Sequence, residues 1–323
     1  MSKRTSPTRA TLPMNHKFSI KHDLSLLWVV LVWGFNIPIM KIVFRTMHPF
    51  VMNIFRLWIA ATILGILHYL YQRRIGQPFF APVRTYPWQL LTVGIIGFLC
   101  YQYFSILGID GTTAGNAALI LSSAPLWTVI VALVLGLERM LPLDWLGIFT
   151  TFTGALIIVL GGAQSIDFSD TTLWGNILMV IASISWGAYT ALNRTLTQKI
   201  NPAGIAFFAL VMMLPLLTLL GVSVLDSVVW DDVGVEIWLL IAFSGAFSIG
   251  LNLALWTRSV RNVGPAHTAV YANLVPVVTL VTGYYLLGEA ITIAQIGGGA
   301  LIIGGLLIMR YNRAQHLRAA GVR

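Results

Sequence analysis

Residues 112–136 read TTAGNAALILSSAPLWTVIVALVLG, and residues 264–287 read GPAHTAVYANLVPVVTLVTGYYLL. Each stretch is mainly apolar over more than 20 residues, the length that an α-helix needs to cross about 30 Å of hydrocarbon. Neither stretch contains Asp, Glu, Lys or Arg. Each therefore predicts a helix that spans a membrane.

The composition of the whole chain favours a membrane protein and excludes two other classes. Of its 323 residues, 57% are hydrophobic and 10% are charged, and the mean hydropathy is +0.83. A soluble domain carries about 25% charged residues, and a disordered chain combines low hydrophobicity with high charge. The single cysteine, Cys100, lies inside an apolar run, so no disulfide framework is predicted.

Ten apolar runs are long enough to cross a bilayer, and we predict an all-α membrane protein of ten transmembrane helices without a separate soluble domain. The predicted spans are 24–44, 50–71, 87–108, 112–136, 143–161, 172–192, 203–225, 236–258, 264–287 and 291–310. They divide the chain into a tail over 1–23, a five-helix repeat over 24–161, a second repeat over 172–310 and a basic tail over 311–323.

The basic residues predict the orientation of these spans, because cytoplasmic loops of membrane proteins are enriched in Lys and Arg. With the N-terminus in the cytoplasm, the cytoplasmic segments hold all 20 basic residues except Lys41, Arg45 and Arg56. Both termini are therefore predicted to be cytoplasmic. Contact with anionic lipid headgroups then explains the net charge of +9, and no nucleic-acid partner is predicted.

The two halves of the chain repeat one another. The pairs at an offset of 151 residues are Gly94 and Gly245, Ala118 and Ala269, Pro125 and Pro276, Thr128 and Thr279, Glu138 and Glu289, Gly147 and Gly298, and Gly154 and Gly305; Trp33-Gly34 meets Trp186-Gly187 at an offset of 153. Each half holds five predicted spans, an odd number, so the second half is predicted to be inverted in the membrane. Inverted repeats are typical of secondary transporters, with the substrate site between the halves, and some channels also have them.

The same motifs carry a resemblance to a known family. Residues 113–119 through Pro125, followed by residues 136–139 (GLER), resemble the fourth helix of the EamA-type repeat in the drug/metabolite transporter superfamily. Trp33-Gly34 followed by Lys41, and Arg56 in the next span, resemble its first two helices. The second half keeps Pro276 and residues 288–289 (GE), has His267 in place of Asn116, and lacks partners for Lys41 and Arg56.

The resemblance covers nearly the whole chain and implies a carrier that works by alternating access. Within the superfamily, the chain most resembles bacterial inner-membrane exporters of aromatic and other neutral amino acids. An exporter of cationic drugs or of other metabolites in the same fold is the nearest alternative. A channel is the alternative from a different functional class.

Polar and aromatic residues at helical spacing form the candidate substrate site. They are Trp33, Asn36, Tyr101, Ser122, Trp186, Tyr189, Asn252, Trp256, Tyr271 and Asn273. Polar side chains facing lipid are costly, so these groups are expected to face inward, where they either line a cavity or form hydrogen bonds between helices. Aromatic walls would accept the apolar side chain of an amphipathic solute, and amides its polar end.

Two prolines and a few charged residues complete the candidate set. Pro125 and Pro276 are expected to bend helices 4 and 9 around the cavity and to leave the carbonyls of Leu121 and Ala272 without a helical partner. Lys41 and Arg56 could attract a substrate carboxylate, but because the resemblance places them away from the cavity, they are expected instead to extend toward lipid headgroups or to cap carbonyls. Glu138 and Glu289 are expected to bind nearby backbone amides.

The remaining motifs concern energy supply and packing. No Asp or Glu lies near the middle of a span, which favours facilitated diffusion or coupling through another group, with His267 as the titratable alternative. The chain has no phosphate-binding loop and no HExxH pair, so we predict neither an enzyme nor a cofactor or metal. The paired glycines in helices 5 and 10 predict close packing, in a static scaffold or in a homodimer contact.

Overall fold

The computed structural model describes residues 20–111, 120–138, 140–162, 170–287 and 291–319, and the regular elements among them are helices. In chain order they are α1 (Ile20–Val43), α2 (Pro49–Arg74), α3 (Pro87–Gly94, Ile95–Cys100 and Tyr101–Asp110), α4 (Ala124–Val134), α5 (Pro142–Gly162), α6 (Asp170–Thr197), α7 (Pro202–Val222), α8 (Val235–Phe243, Ser244–Leu251 and Asn252–Val263), α9 (Pro265–Tyr271, Ala272–Leu274 and Val275–Leu287) and α10 (Ile293–Ala319). Short helices at Ala81–Thr85, Leu225–Ser227 and Trp230–Asp232 lie in the loops.

The helices have the length and polarity of a multi-pass membrane protein. Within the described residues, 7 helices are long and apolar enough to cross a membrane, and shorter apolar helices lie at Ala124–Val134, Pro142–Ile158 and Ile293–Met309. Large apolar side chains such as Leu31, Phe149 and Leu219 are exposed on the outside of the bundle, at 47%, 52% and 64% of their surface. The prediction of a helical membrane protein is confirmed, and the count of ten spans stays a prediction.

The packing of the helices repeats itself when α1–α5 are exchanged with α6–α10. Helix α1 packs on α9 as α6 packs on α4, and α2 packs on α8 as α7 packs on α3. The pairs α2–α7 and α5–α10 each map onto themselves. The internal repeat in the sequence is thus also a repeat of helix contacts.

Glycines allow the backbones of matched helix pairs to come close together. A Cβ atom on Gly34 of α1 would lie 2.4 Å from the Val278 side chain of α9. A Cβ atom on Gly187 of α6 would lie 2.7 Å from Trp127 and 2.8 Å from the Thr128 nitrogen of α4. The two Trp-Gly pairs therefore seat α1 and α6 against α9 and α4 in the same way.

Glycines also allow helices α5 and α10 to pack closely against each other. A Cβ atom on Gly154 would lie 2.5 Å from the Gly298 carbonyl oxygen, and one on Gly298 would lie 2.6 Å from that of Gly154. Gly147 and Gly305 have the same reciprocal relation, at 2.9 and 2.7 Å. Because real Cβ atoms do not approach a backbone oxygen so closely, only glycine fits at these positions. The predicted close packing of α5 and α10 is confirmed as a contact within one chain.

Gly298→Ala is therefore expected to lower the midpoint of thermal unfolding in detergent. Alanine gains about 1 kcal/mol of helix propensity over glycine, but forcing a methyl group into a packed interior costs about 1–3 kcal/mol. Gly297→Ala is the matched control, since a Cβ atom there has nothing within 4 Å. It is expected to leave the midpoint unchanged or slightly higher. Equal midpoints for the two variants would contradict the close contact.

Candidate functional site

The centre of the bundle is marked by wide turns in α3 and α8. Residues Ile95–Cys100 of α3 and Ser244–Leu251 of α8 are π-helical, and the α-helix resumes at Tyr101 and Asn252. π-Helical segments are rare overall, and many of those observed lie at functional sites. Their wider turns direct side chains and carbonyls away from the regular pattern of helical hydrogen bonds. The Trp33 indole of α1 donates from Nε1 to the Ser248 carbonyl in this part of α8, at 2.8 Å.

Five aromatic residues from both repeats meet beside these segments, and we call them the aromatic cluster: Trp33, Tyr101, Trp186, Tyr189 and Trp256. The Trp33 ring centroid lies 5.0 Å from that of Trp256 and 5.8 Å from that of Trp186. Trp186 also lies 5.0 Å from Tyr101 and 5.4 Å from Tyr189. Trp33, Tyr101 and Trp186 are half-buried, whereas Tyr189 and Trp256 are fully buried. The first three rings thus offer a wall to a solute, with the other two packed behind it.

Polar side chains of α8, α1 and α2 lie in a row next to the aromatic cluster. Ser244 donates to Asn36 Oδ1 at 2.6 Å, and Asn36 Nδ2 lies 3.1 Å from the Met40 sulfur. Arg56 Nη1 lies 3.6 Å from the same sulfur. Arg56 is 9% exposed, so the expectation that it extends toward lipid headgroups is wrong. The Arg56 side chain lies inside the bundle because the α2 backbone at Arg56 packs closely against Gly245 of α8. The side chain of Lys41 is outside the part of the chain that the structure describes.

A second group of polar atoms is buried behind the cluster. The Tyr189 hydroxyl faces the side chains of Asn193 and Thr257. In this conformation none of the polar atoms of these three side chains has hydrogen-bond geometry. Unpaired buried polar groups cost about 1–3 kcal/mol each. The protein therefore carries polar groups here that face one another without forming well-aligned hydrogen bonds in the conformation described.

Several predicted site residues instead hold helices together. Asn252 donates to the Val29 carbonyl at 3.1 Å, and Asn273 donates to Thr151 Oγ1 at 3.1 Å. Tyr271 is likewise buried and hydrogen-bonded away from the cluster. Ser122 is half-buried at the turn that precedes α4. Of the predicted residues, the structure thus brings together the five of the aromatic cluster and Asn36, and it leaves Tyr271 apart. The role of the grouped residues in binding stays a prediction.

Both prolines follow an interruption of their helix. Pro125 lies in the first turn of α4 after the turn at Ser122–Ser123, and Pro276 follows the 3₁₀ segment Ala272–Leu274. The Ala272 carbonyl accepts a hydrogen bond from the Val275 nitrogen. The expectation of a carbonyl without a helical partner is therefore wrong at Ala272, since the tighter turn supplies one. Residues 112–119, which include Asn116, lie outside the described residues.

Charged residues join the helices at one end of the bundle, the end where α1 and α9 begin, which we call the closed end. Glu138 Oε2 accepts from the Ala266 nitrogen at 3.0 Å in the first turn of α9. Arg194 at the end of α6 donates to the carbonyls of Val260 and Arg261, the former at 3.1 Å. The predicted binding of a backbone amide is confirmed for Glu138, and Glu289 lies outside the described residues.

A buried carboxylate at the closed end was missed by the sequence analysis. Asp23 lies in the first turn of α1, is 7% exposed, and accepts from the Tyr271 hydroxyl at 2.6 Å. His267 Nε2 lies 3.7 Å from the same carboxylate oxygen. Asp144 accepts from Asn312 at 2.7 Å and joins α5 to α10 nearby. Where the chain is described, no group of three His, Cys, Asp or Glu residues is arranged to hold a metal ion.

Tyr271→Phe is expected to lower the thermal unfolding midpoint. The substitution removes the hydroxyl and leaves the buried Asp23 carboxylate with one hydrogen bond fewer, a loss of about 1–3 kcal/mol. Tyr285→Phe is the matched control, because Tyr285 in the same helix is 78% exposed. A Tyr271→Phe midpoint equal to that of the control would show that the contact with Asp23 contributes nothing to stability.

Comparisons with known proteins identify the family and the fold of this chain. The sequence pattern of the EamA-like transporter family matches residues 20–160 and again residues 173–311. The uncharacterized transporter YyaM of Bacillus subtilis is 26% identical over 67% of this chain and 71% of its own length. The uncharacterized inner membrane transporter YedA of Escherichia coli is 25% identical over 88% of this chain and 89% of its own. A solved crystal structure at 19% identity superposes with a TM-score of 0.75 over 89% of this chain and 96% of the other, which supports the fold alone.

Proposed function

This chain belongs to the EamA-like transporter family, and from that premise we propose that it exports aromatic and other neutral amino acids across a bacterial inner membrane by alternating access. The observation that carries the proposal is the aromatic cluster at the junction of the two repeats. Its exposed rings come from α1, α3 and α6, and Trp256 of α8 packs behind them. This is the position at which inverted-repeat carriers bind their substrates.

The relative directions of the packed helices support ten spans in two inverted repeats. From Asp23 to Gly34 on α1, the contacted residues of α9 advance from Tyr271 to Val278, so these helices run parallel. From Gly147 to Gly154 on α5, the contacted glycines of α10 step back from residue 305 to residue 298, so these helices run antiparallel. Both results follow if every helix crosses the membrane. The enrichment of Lys and Arg in the loops at this end then favours a cytoplasmic location for the closed end and for both termini.

The lining of the cluster suits an amphipathic amino acid. The half-exposed faces of Trp33 and Trp186 provide apolar surface, and each Å² of apolar solute that they cover is worth about 25 cal/mol. An ammonium group over an indole face would add about 1–2 kcal/mol. A carrier of cationic drugs would be expected to present a carboxylate instead. Asp23, the buried carboxylate of the described residues, is held by Tyr271 at the closed end.

The closed end provides the barrier that must open during transport. Glu138 of the first repeat binds the start of α9 in the second, so this contact joins the two repeats, and Arg194 of α6 holds the end of α8 within the second repeat. Parting the Glu138 contact would admit cytoplasmic substrate to the cluster, and closing it would direct release to the opposite side. The conformation described, with this contact made, is closed toward the cytoplasm in this scheme.

Counterflow in proteoliposomes tests the proposed function. Vesicles preloaded with unlabelled phenylalanine should take up labelled phenylalanine with a transient overshoot, because a carrier exchanges its substrate one for one. Trp186→Ala should lower the exchange at least tenfold without loss of folded protein. Trp88→Ala is the control, since Trp88 is 75% exposed at the start of α3 and should exchange normally.

Two results would contradict the proposal in different ways. Flux of phenylalanine that neither saturates nor overshoots would indicate a channel. Absence of exchange for every neutral amino acid, in protein shown to be folded, would remove the substrate class and leave the transporter family intact.

A further inference from the structure

We propose that Arg56 binds the carboxylate of the transported solute, so that this carrier selects organic anions and zwitterions carrying a carboxylate next to an apolar group. The inference rests on the proposed function and names the group that recognises the polar end of its substrate. The resemblance to the family had placed this arginine away from the cavity, and the structure places it beside the aromatic cluster.

The guanidinium of Arg56 is buried without a counter-charge. Its residue is 9% exposed, and its Nε atom has no hydrogen-bond partner. Its contact with a side chain of α1 is the one to the Met40 sulfur, at 3.6 Å, and a thioether is a weak acceptor. Among the described residues, no acidic side chain forms an ion pair with it. A buried cation in a membrane interior costs several kcal/mol unless an anion accompanies it.

The surroundings of Arg56 identify the class of anion. Arg56 lies close enough to Tyr101 for the charged forms of the two groups to attract each other, and the Tyr101 ring lies 5.0 Å from that of Trp186. Asn36, which shares the Met40 sulfur, lies one helical turn from Trp33 on α1. A carboxylate at Arg56 would thus have apolar aromatic surface directly beside it. The planar guanidinium also matches a carboxylate better than an ammonium would, because it donates two parallel hydrogen bonds.

The repeat shows that Arg56 is an addition to the shared scaffold. The Arg56 carbonyl packs on Gly245, where a Cβ atom would lie 2.8 Å away. At the matching place in the other repeat, the Ala209 carbonyl packs on Gly94, where a Cβ atom would lie 2.6 Å away. The backbone contact is therefore the same in both repeats, but the second has alanine in place of the cation. Packing of the scaffold does not require the guanidinium, which leaves ligand binding as its role.

Ligand-dependent thermal unfolding of the purified full-length protein tests this directly. The probes are 3-phenylpropionate, its neutral amide 3-phenylpropanamide, and phenethylamine. We expect 3-phenylpropionate to raise the unfolding midpoint of the wild type and the amide to bind at least tenfold more weakly. Arg56→Gln should lose this discrimination, and Arg56→Lys should weaken the binding of 3-phenylpropionate about tenfold. Arg74→Gln, which changes an exposed arginine of the same helix, should behave as the wild type.

Each contrary result overturns the inference. Equal affinity of the wild type for the acid and the amide would do so without any variant, even if Arg56→Gln fails to fold. Retained discrimination in folded Arg56→Gln would assign the anion to another group. If 3-phenylpropionate binding depends on Arg56 but no amino acid exchanges in proteoliposomes, the carboxylate site stands and the proposed substrate class fails.

Discussion

Close backbone contact between helices of opposite repeats is the constraint on which the rest of this structure depends. Helices in lipid gain no hydrophobic free energy from meeting one another, so their association rests on tight packing and interhelical hydrogen bonds. At Gly34, Gly187, Gly154 and Gly298, a single added carbon would meet atoms of the neighbouring helix within 3 Å. These contacts fix both the rotation and the depth of each helix. Trp33 and Trp186 each precede one of these glycines, so the packing that seats α1 and α6 also aims both indoles at the centre of the bundle.

The polar groups of the interior divide into two kinds with different consequences. Asn273, Tyr271 and the Asn252 side-chain nitrogen donate hydrogen bonds to other helices, which stabilises one arrangement of the bundle. Around the aromatic cluster, Arg56 and the Tyr189 hydroxyl are buried without adequate partners. Such unsatisfied groups lower stability unless a ligand, water or another conformation supplies what is missing. Their concentration near the partly exposed indoles supports the proposed binding site, because ordinary helix packing leaves few buried polar groups unsatisfied.

The sequence predicted those features that follow from periodicity and from the repeat. Gly154 and Gly298 were each found as members of a repeat pair, and they lie in contact with one another. Glu138 was expected to bind backbone amides and binds that of Ala266. Features that depend on how helices rotate were not predictable in this way. Tyr271 and Trp256 were both candidates for the substrate site, yet one donates to Asp23 and the other faces Trp33.

Two charged residues have surroundings that differ from those the sequence analysis predicted. Asp23 was assigned to the N-terminal tail because the first apolar run begins at residue 24, and Arg56 was expected at lipid headgroups or on carbonyls because the resemblance places it away from the cavity. In the folded protein, Asp23 gains the Tyr271 hydroxyl, and Arg56 lies behind Met40 on a neighbouring helix. Those partners are far away in sequence, so only the tertiary structure reveals them.

The central claim is that one site near the aromatic cluster becomes accessible from each side of the membrane in turn. In a Cys100→Ser background, Tyr101→Cys places a single thiol at a half-buried position of the aromatic cluster. The rate at which a membrane-impermeant thiol reagent modifies it is then measured from either face of oriented proteoliposomes. The account predicts modification from both faces, slowed from both by saturating phenylalanine, and faster modification from the cytoplasmic face in Glu138→Ala. Modification from one face alone, both with and without the Glu138→Ala substitution and both with and without phenylalanine, would contradict it.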